Sequence, residues 1–444
     1  MERRTFLKIL SSAGIVSLVS PTFAMEVCKN KVSKSSSALL ESAFRNPPFS
    51  SGVYTWWHWM NGNITKDGIT RDLEAMKANG IAGYQLFEAG SGIPIGPVES
   101  LSDEWVDLIL HTLKESERLG LEFAMHNCPG WSSSGGPWIT PDKAMQIITW
   151  SETKITGGKQ VRIQLPTPKH MFDYYIDTYC LAIPANMKVI PRLSILELSN
   201  RLDKDGVLTW DVPTGEWLIM RFGQTAKDQK NKSAPSKSTG LDCDKFSTEA
   251  LDYHLNCMFK RLMPAMEKIA KHSKIGLLID SYETGDQDWT SDMPAYFEQS
   301  HGYELYPFLP VLANKIVESE ESTKRFLFDF RRVRADMFAE RYYGHFQKRC
   351  KEKGIITYTE PYGGNMMEEL QVAQQLDINM GEFWCGQTVL WANYKYNRTV
   401  KQVASIAHTL GGKVVGAEAF TSEPDADKWL QYPYALKSLG DYMF

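Results

Sequence analysis

Four glutamates close short strand-like runs in the second half of this 444-residue chain. Glu283 follows Leu277-Leu278-Ile279-Asp280-Ser281-Tyr282, and Glu360 follows Ile355-Ile356-Thr357-Tyr358-Thr359. Glu382 lies in Ile378-Asn379-Met380-Gly381-Glu382-Phe383-Trp384, and Glu418 in Val414-Val415-Gly416-Ala417-Glu418-Ala419-Phe420. In a parallel barrel the carboxyl ends of the strands surround one mouth, so acids far apart in sequence would face one pocket. Carboxyl groups in an aromatic pocket can protonate a leaving oxygen and activate a water, which is the chemistry of cleaving a glycosidic bond.

Within that set, Glu283 is the candidate general acid, because Tyr282 beside it could desolvate the carboxyl and raise its pKa. The bland reading is a carboxylate paired with Lys or Arg at the mouth. Glu418 is the first candidate for the base. Glu382, with Trp384 at hand, stands equally as base and as binder of substrate or metal. Glu360, beside Pro361-Tyr362-Gly363-Gly364, shapes the pocket or caps a helix starting near Met366. Asp280 orients its neighbours or sits in a buried salt bridge.

His58, His126 and Asn127 end the first and third strand-like runs, where they can hydrogen-bond sugar hydroxyls. The two histidines lack the i, i+4 spacing of a helical zinc site, so sugar binding is favoured over a metal. Trp57, Trp131 and Trp384 offer flat faces for sugar rings. Asp286-Gln287-Asp288 is read as the cap of the next helix. Ser132-Ser133-Ser134-Gly135-Gly136 has neither a GxSxG elbow nor a P-loop lysine, and is read as a flexible loop over the pocket, rimmed by Trp131 and Trp138.

The elements that must position these groups alternate strand and helix, which argues for a parallel sheet. Strands are expected at 53–59, 81–87 and 121–126, with helices at 67–78 and 103–119. From about residue 147 the rhythm turns to alternating, turn-rich runs, read as an inserted antiparallel β module over 147–226 and a connecting loop over 227–244. Helices at 248–272, 323–353, 368–376, 400–410 and 428–439 then separate four more strands. The fold class is therefore α/β, a TIM-type (β/α)8 barrel in two parts, 46–146 and 245–444, with only seven of its eight strands counted. The missing strand is read as truncation at the C-terminus.

The formal charge of −4 gives no basic field for nucleic acid or an anionic membrane, and no later run is long and apolar enough to span a bilayer. Residues 1–24, with Arg3-Arg4, an apolar stretch and Ala24, are read as an export signal followed by a polar segment over 25–45, so the chain is expected in the periplasm or outside the cell. The seven cysteines show no CxxC pair, which argues against a zinc ribbon or redox dithiol.

One resemblance is specific. The runs from Trp56-Trp57-His58-Trp59 to Thr70, from Met125-His126-Asn127-Cys128-Pro129-Gly130-Trp131 to Pro141, Asp280-Ser281-Tyr282-Glu283 and Gly381-Glu382-Phe383-Trp384 resemble glycoside hydrolase family 106, the α-L-rhamnosidases. The resemblance runs from about Asn46 to the end. It implies an inverting two-carboxylate hydrolase, with the pair roughly 6.5–9.5 Å apart, acting on rhamnose-containing oligo- or polysaccharides. It also implies a calcium ion at the sugar, with ligands unassigned. The alternative is an inactive sugar-binding remnant of such an enzyme.

Overall fold

The computed structural model describes residues 34–444 apart from 132–133, 273, 386–389, 413, 423–427 and 429. The expected export signal lies outside the described residues. The segment read as merely polar carries a helix, Lys34–Arg45, in its described part.

Strand β1 (Val53–Met60), β2 (Ile81–Ala89) and β3 (Glu122–His126) open the chain's main sheet. A block of strands follows, antiparallel except for β7, which pairs in parallel with a later strand, Ile316–Val317: β4 (Gln146–Thr156), β5 (Lys159–Gln164), β6 (Ile176–Pro184), β7 (Val189–Ile190), β8 (Leu196–Glu197), β9 (Val207–Val212) and β10 (Glu216–Ala226). The chain then returns through β11 (Ile275–Ile279), β12 (Ile316–Val317), β13 (Ile356–Thr359), β14 (Ile378–Cys385) and β15 (Gly416–Ser422). Seven of these form one curled parallel sheet in the order β1-β2-β3-β11-β13-β14-β15. Among the described residues β1 and β15 are its two edges, so the expected closure into eight strands is not part of this sheet. The block between β3 and β11 makes a four-stranded sheet, β4-β10-β6-β8, and the pair β5-β9.

Strand alternation divides the main sheet into two faces. Phe87, Ala124, Leu278, Tyr358 and Met380 pack together inside the curl. Their sequence neighbours Leu86, Phe123, Met125, Leu277 and Ile279 turn outward to the helices, in a core that also takes Leu181, Met220 and Phe222 from the antiparallel block.

Helices start where the sequence supplies caps. Thr65, Ser102 and Ser247 each accept a backbone N–H from the first turn of the helix they precede. The long helix expected over 248–272 is broken into Thr248–Phe259 and Met263–Ile269, because Pro264 fits only a helix's first turn. The helix expected over 323–353 is continuous from Glu320 to Lys351 but widens to a π-turn at Phe338–Gly344. That turn sets Tyr342 and Tyr343 edge to face at 4.9 Å beneath the strand ends.

Candidate active site

Three of the four glutamates converge on the last three strands of the sheet: Glu360 directly follows β13, whereas Glu382 and Glu418 lie within β14 and β15 and not at the strand ends expected from the sequence. Glu360, Glu382 and Glu418 each present a carboxylate oxygen, and the three oxygens lie within 4.8 Å of one another. Parallel register is the cause for two of them, since Glu382 pairs directly with Glu418. The Glu382 backbone is clamped in turn: its N–H donates to Thr399 Oγ1 at 2.9 Å, and that hydroxyl donates to its carbonyl at 3.1 Å.

Each carboxyl of the trio is also held by an uncharged donor. Tyr362 Oη donates to Glu360 Oε2, Trp384 Nε1 to Glu382 Oε1, and Thr421 Oγ1 to Glu418 Oε1. Glu360 and Glu382 are buried, while Glu418 is half-buried and is the one nearest to solvent. Two ionised carboxylates this close repel by about 3 kcal/mol at an effective dielectric of about 20. Burial adds to that cost, so the site retains protons. Burial, then the neighbouring Glu382, pushes Glu418 up to about 8. Burial, followed by the charges of Asp280 and Glu418, raises Glu360 well above the carboxylate range.

Asp280 belongs to the same group. It is 3 % exposed, and burial followed by the charge of Glu418 raises its pKa well above the usual value. Its carboxyl is hydrogen-bonded to that of Glu360, and Asp280 Oδ1 and Glu360 Oε1 are buried oxygens that no N–H or hydroxyl reaches. The expected alternative of a buried salt bridge does not describe it, because the charged groups acting on it are carboxylates.

Glu283 occupies a different environment from the one expected. It is exposed, and its Oε2 accepts from Lys232 Nζ at 2.6 Å. The neighbouring ring does not desolvate it, since Tyr282 turns inward, is 1 % exposed and donates to Gly285 O at 2.7 Å. Glu283 still stands close enough to add its charge to those acting on Asp280 and Glu418. Lys232 comes from the connecting loop and was not legible as a site residue; its only sequence signal is the lysine-rich run of that loop.

The aromatic and histidine candidates divide by face. Trp57 points away from the mouth: it packs on the outer core, 5.3 Å from Tyr84, and donates to Asp72 on the helix Lys66–Ala78 at 3.1 Å. Its neighbours Trp56 and His58 face inward, both against Phe87. The His58 imidazole is reachable from solvent but crowded by these rings, and desolvation lowers its pKa. Trp131 joins the inner cluster and, with Trp384, is half-buried.

His126 and Asn127 are structural. His126 is 2 % exposed, with Nδ1 against the Cys128 backbone and Nε2 against the Asp280 N–H, and burial lowers it to about 4. Asn127 has no exposed surface: Nδ2 donates to Leu278 O at 2.9 Å, and Oδ1 accepts from Ser134 Oγ. Side chains at a third-strand end were expected to reach sugar, but here the following loop folds back over them.

That loop is not a loose lid in its described part. Ser134 is fully buried and shares hydrogen bonds with Asn127 and Tyr342 Oη, while Ser132 and Ser133 lie outside the described residues. Gly130 makes the approach possible, with φ +86° and Lys232 O only 2.1 Å from where a Cβ would stand. Trp138 points to His254, 3.3 Å from its Nδ1. The supposed cap at 286–288 ties loops together instead, with Asp288 accepting from Ile148 N and Asp286 from Asn365 N. Glu360 caps no helix either; the next one starts at Glu369 and is capped by Glu368.

A curled parallel sheet whose last three strands gather carboxyls beside tryptophans defines a glycosidase-like site. The chain belongs to glycoside hydrolase family 106: the family model, described as alpha-L-rhamnosidase, matches residues 45–178 and 169–444. A Formosa agariphila protein provisionally named beta-glucuronidase is 41% identical over 433 residues, covering 90% of this chain and 36% of its own length. The fold is that of a rhamnosidase from Novosphingobium sp. PP1Y, with TM-score 0.82 and 24% identity over 91% of this chain and 55% of that one. The chain thus spans about a third of the one relative and just over half of the other. Among the described residues no helix is long and apolar enough to cross a membrane.

Proposed function

We propose that this chain carries the catalytic mouth of an inverting exo-glycosidase that removes α-linked L-rhamnose from exported-side glycans. The observation that carries this reading is the convergence of Glu360, Glu382 and Glu418 on one point, with Glu283 at the edge of the same charge cluster.

The roles follow from access. Glu283 is at the outer edge, where a leaving sugar would depart and where its carboxyl can regain a proton from solvent. It gives that proton to the glycosidic oxygen as the C1–O bond breaks and its electrons pass to the oxygen. Water attacks C1 from the opposite face and yields its proton to a carboxylate. Glu418 is the base of choice because it is the trio's half-open member; Glu382, its competitor, is buried under Trp384. Trp131, Trp384, Trp56 and His58 line the mouth and suit the faces and hydroxyls of a sugar.

The trio also fits the calcium ion that the family resemblance implies. All three offer hard oxygen donors, and Glu360 Oε1 is a buried oxygen that no N–H or hydroxyl reaches. Calcium takes six to eight oxygens, so sugar hydroxyls and water would complete the shell. When bound, it would supply positive charge that keeps the three carboxylates ionised and oxygen coordination that orients the sugar.

Proton NMR of the first turnovers tests the reading. The chain should release β-L-rhamnose from an α-L-rhamnoside before mutarotation. Release of the α anomer, or no rhamnose from any α-L-rhamnoside, would overturn it.

A further inference from the structure

Lys232 places a cation at the rim of the mouth beside Glu283, and its loop holds it there. The Ser233 carbonyl accepts from Gly90 N at the end of β2, and the Lys232 carbonyl accepts from Trp131 N after β3. Both contacts need glycine nearby, since a Cβ at Gly90 or Gly130 would strike the backbone of Pro235 or Lys232. The ammonium is thereby fixed over Glu283, with side-chain exposures of 53% and 38%, so a ligand can reach both groups.

This pair poses a chemical problem. While Lys232 Nζ sits 2.6 Å from Glu283 Oε2, that oxygen is engaged and is not presented to a glycosidic oxygen. A neutral leaving sugar offers the ammonium no better partner, whereas an anionic one does. We propose that Lys232 recognises an anionic substituent, a carboxylate or a sulfate, on the sugar that leaves from rhamnose. Its transfer from Glu283 to that anion releases the Glu283 carboxyl from the ion pair, so that it can turn to the glycosidic oxygen as the acid. Lys232 is then both the reader of the leaving sugar and the switch of the acid, an inference that rests on the rhamnosidase reading above.

The test compares kcat/KM for α-L-rhamnosyl-(1→4)-glucuronic acid, α-L-rhamnosyl-(1→4)-glucose 6-sulfate and α-L-rhamnosyl-(1→4)-glucose. Wild type should prefer at least one anionic disaccharide by about fivefold or more, the scale of one partly exposed ion pair. The uronate and sulfate arms identify which anion is read. Lys232→Met should bring the ratio close to one, Lys232→Arg should restore most of it, and added salt should shrink it in wild type. A wild-type ratio near one, or an unchanged ratio in Lys232→Met, overturns the proposal. If no rhamnoside is cleaved, the functional reading fails on its own. Titration calorimetry with glucuronate, glucose 6-sulfate and glucose then decides the inference, and equal affinities for all three would overturn it.

Discussion

Glu382 and Glu418 occupy the same register position on two neighbouring parallel strands, so their side chains leave the sheet side by side. With Glu360 one strand further along, three carboxyls meet within 4.8 Å in a buried setting. No sheet needs such a cluster to be stable, and electrostatics opposes it. The strain it stores gives the site its measurable properties.

The first is a fall in stability with pH. In the chelated protein Glu418 keeps its proton up to about 8, whereas the unfolded chain releases it near 4.5. Unfolding therefore releases a proton across that window, and stability drops as pH rises through it. His126 and His254, lowered to about 4 and about 3 by burial, act in the opposite sense, but only up to the ordinary histidine value of 6.5. From pH 6.5 to 8 the carboxyls should prevail, at a cost on the order of 1 kcal/mol. Calorimetry in EDTA should show Tm falling over this range, with Glu418→Gln flattening the slope. A Tm that rises in wild type would contradict the account.

Calcium should reverse that fall. Binding at a hundredfold excess over Kd adds about 2.7 kcal/mol to stability, and the gain should be larger at pH 8 than at pH 6, where protons compete for the same oxygens. Glu360→Gln and Glu382→Gln should each weaken the Tm shift. Equal shifts in wild type and both variants would remove the trio as ligands.

Asn127→Ala should act on stability and leave sugar affinity alone. It removes one of two donors to the buried Leu278 carbonyl, which keeps the Asn127 N–H, and one of two partners of Ser134 Oγ, which keeps Tyr342 Oη, at a cost of about 0.5–1.5 kcal/mol for each lost hydrogen bond. Urea melts would read the loss, and KM for an α-L-rhamnoside should stay within about twofold. A large rise in KM with unchanged stability would return Asn127 to the sugar site.

Much of the fold was legible because strands and helices here follow local rules. The helix Asp103–Leu119 begins after the cap Ser102 and ends at Gly120, whose φ is +66°, and both signals are visible in sequence. The convergence of Glu360, Glu382 and Glu418 was legible because neighbouring parallel strands place equivalent positions side by side. The sequence was silent wherever loops decide the outcome. Nothing local says that the loop after β3 buries His126 and Asn127, or that the connecting loop carries Lys232 to Glu283. Trp57 was misplaced by one step of alternation: in a run of three near-identical side chains, only the packing of Trp59 and Tyr84 shows which face is the outer one.

Turnover by Glu418→Gln tests the central claim most directly. With an aryl α-L-rhamnoside at pH 7, kcat should fall by about 10²–10⁴, the usual contribution of a positioned acid or base, while Tm in EDTA at pH 7 stays close to wild type, because a largely protonated carboxyl is replaced by a neutral amide of the same shape. Turnover at the wild-type rate in that variant would contradict the proposal that the convergent carboxyls perform the hydrolysis.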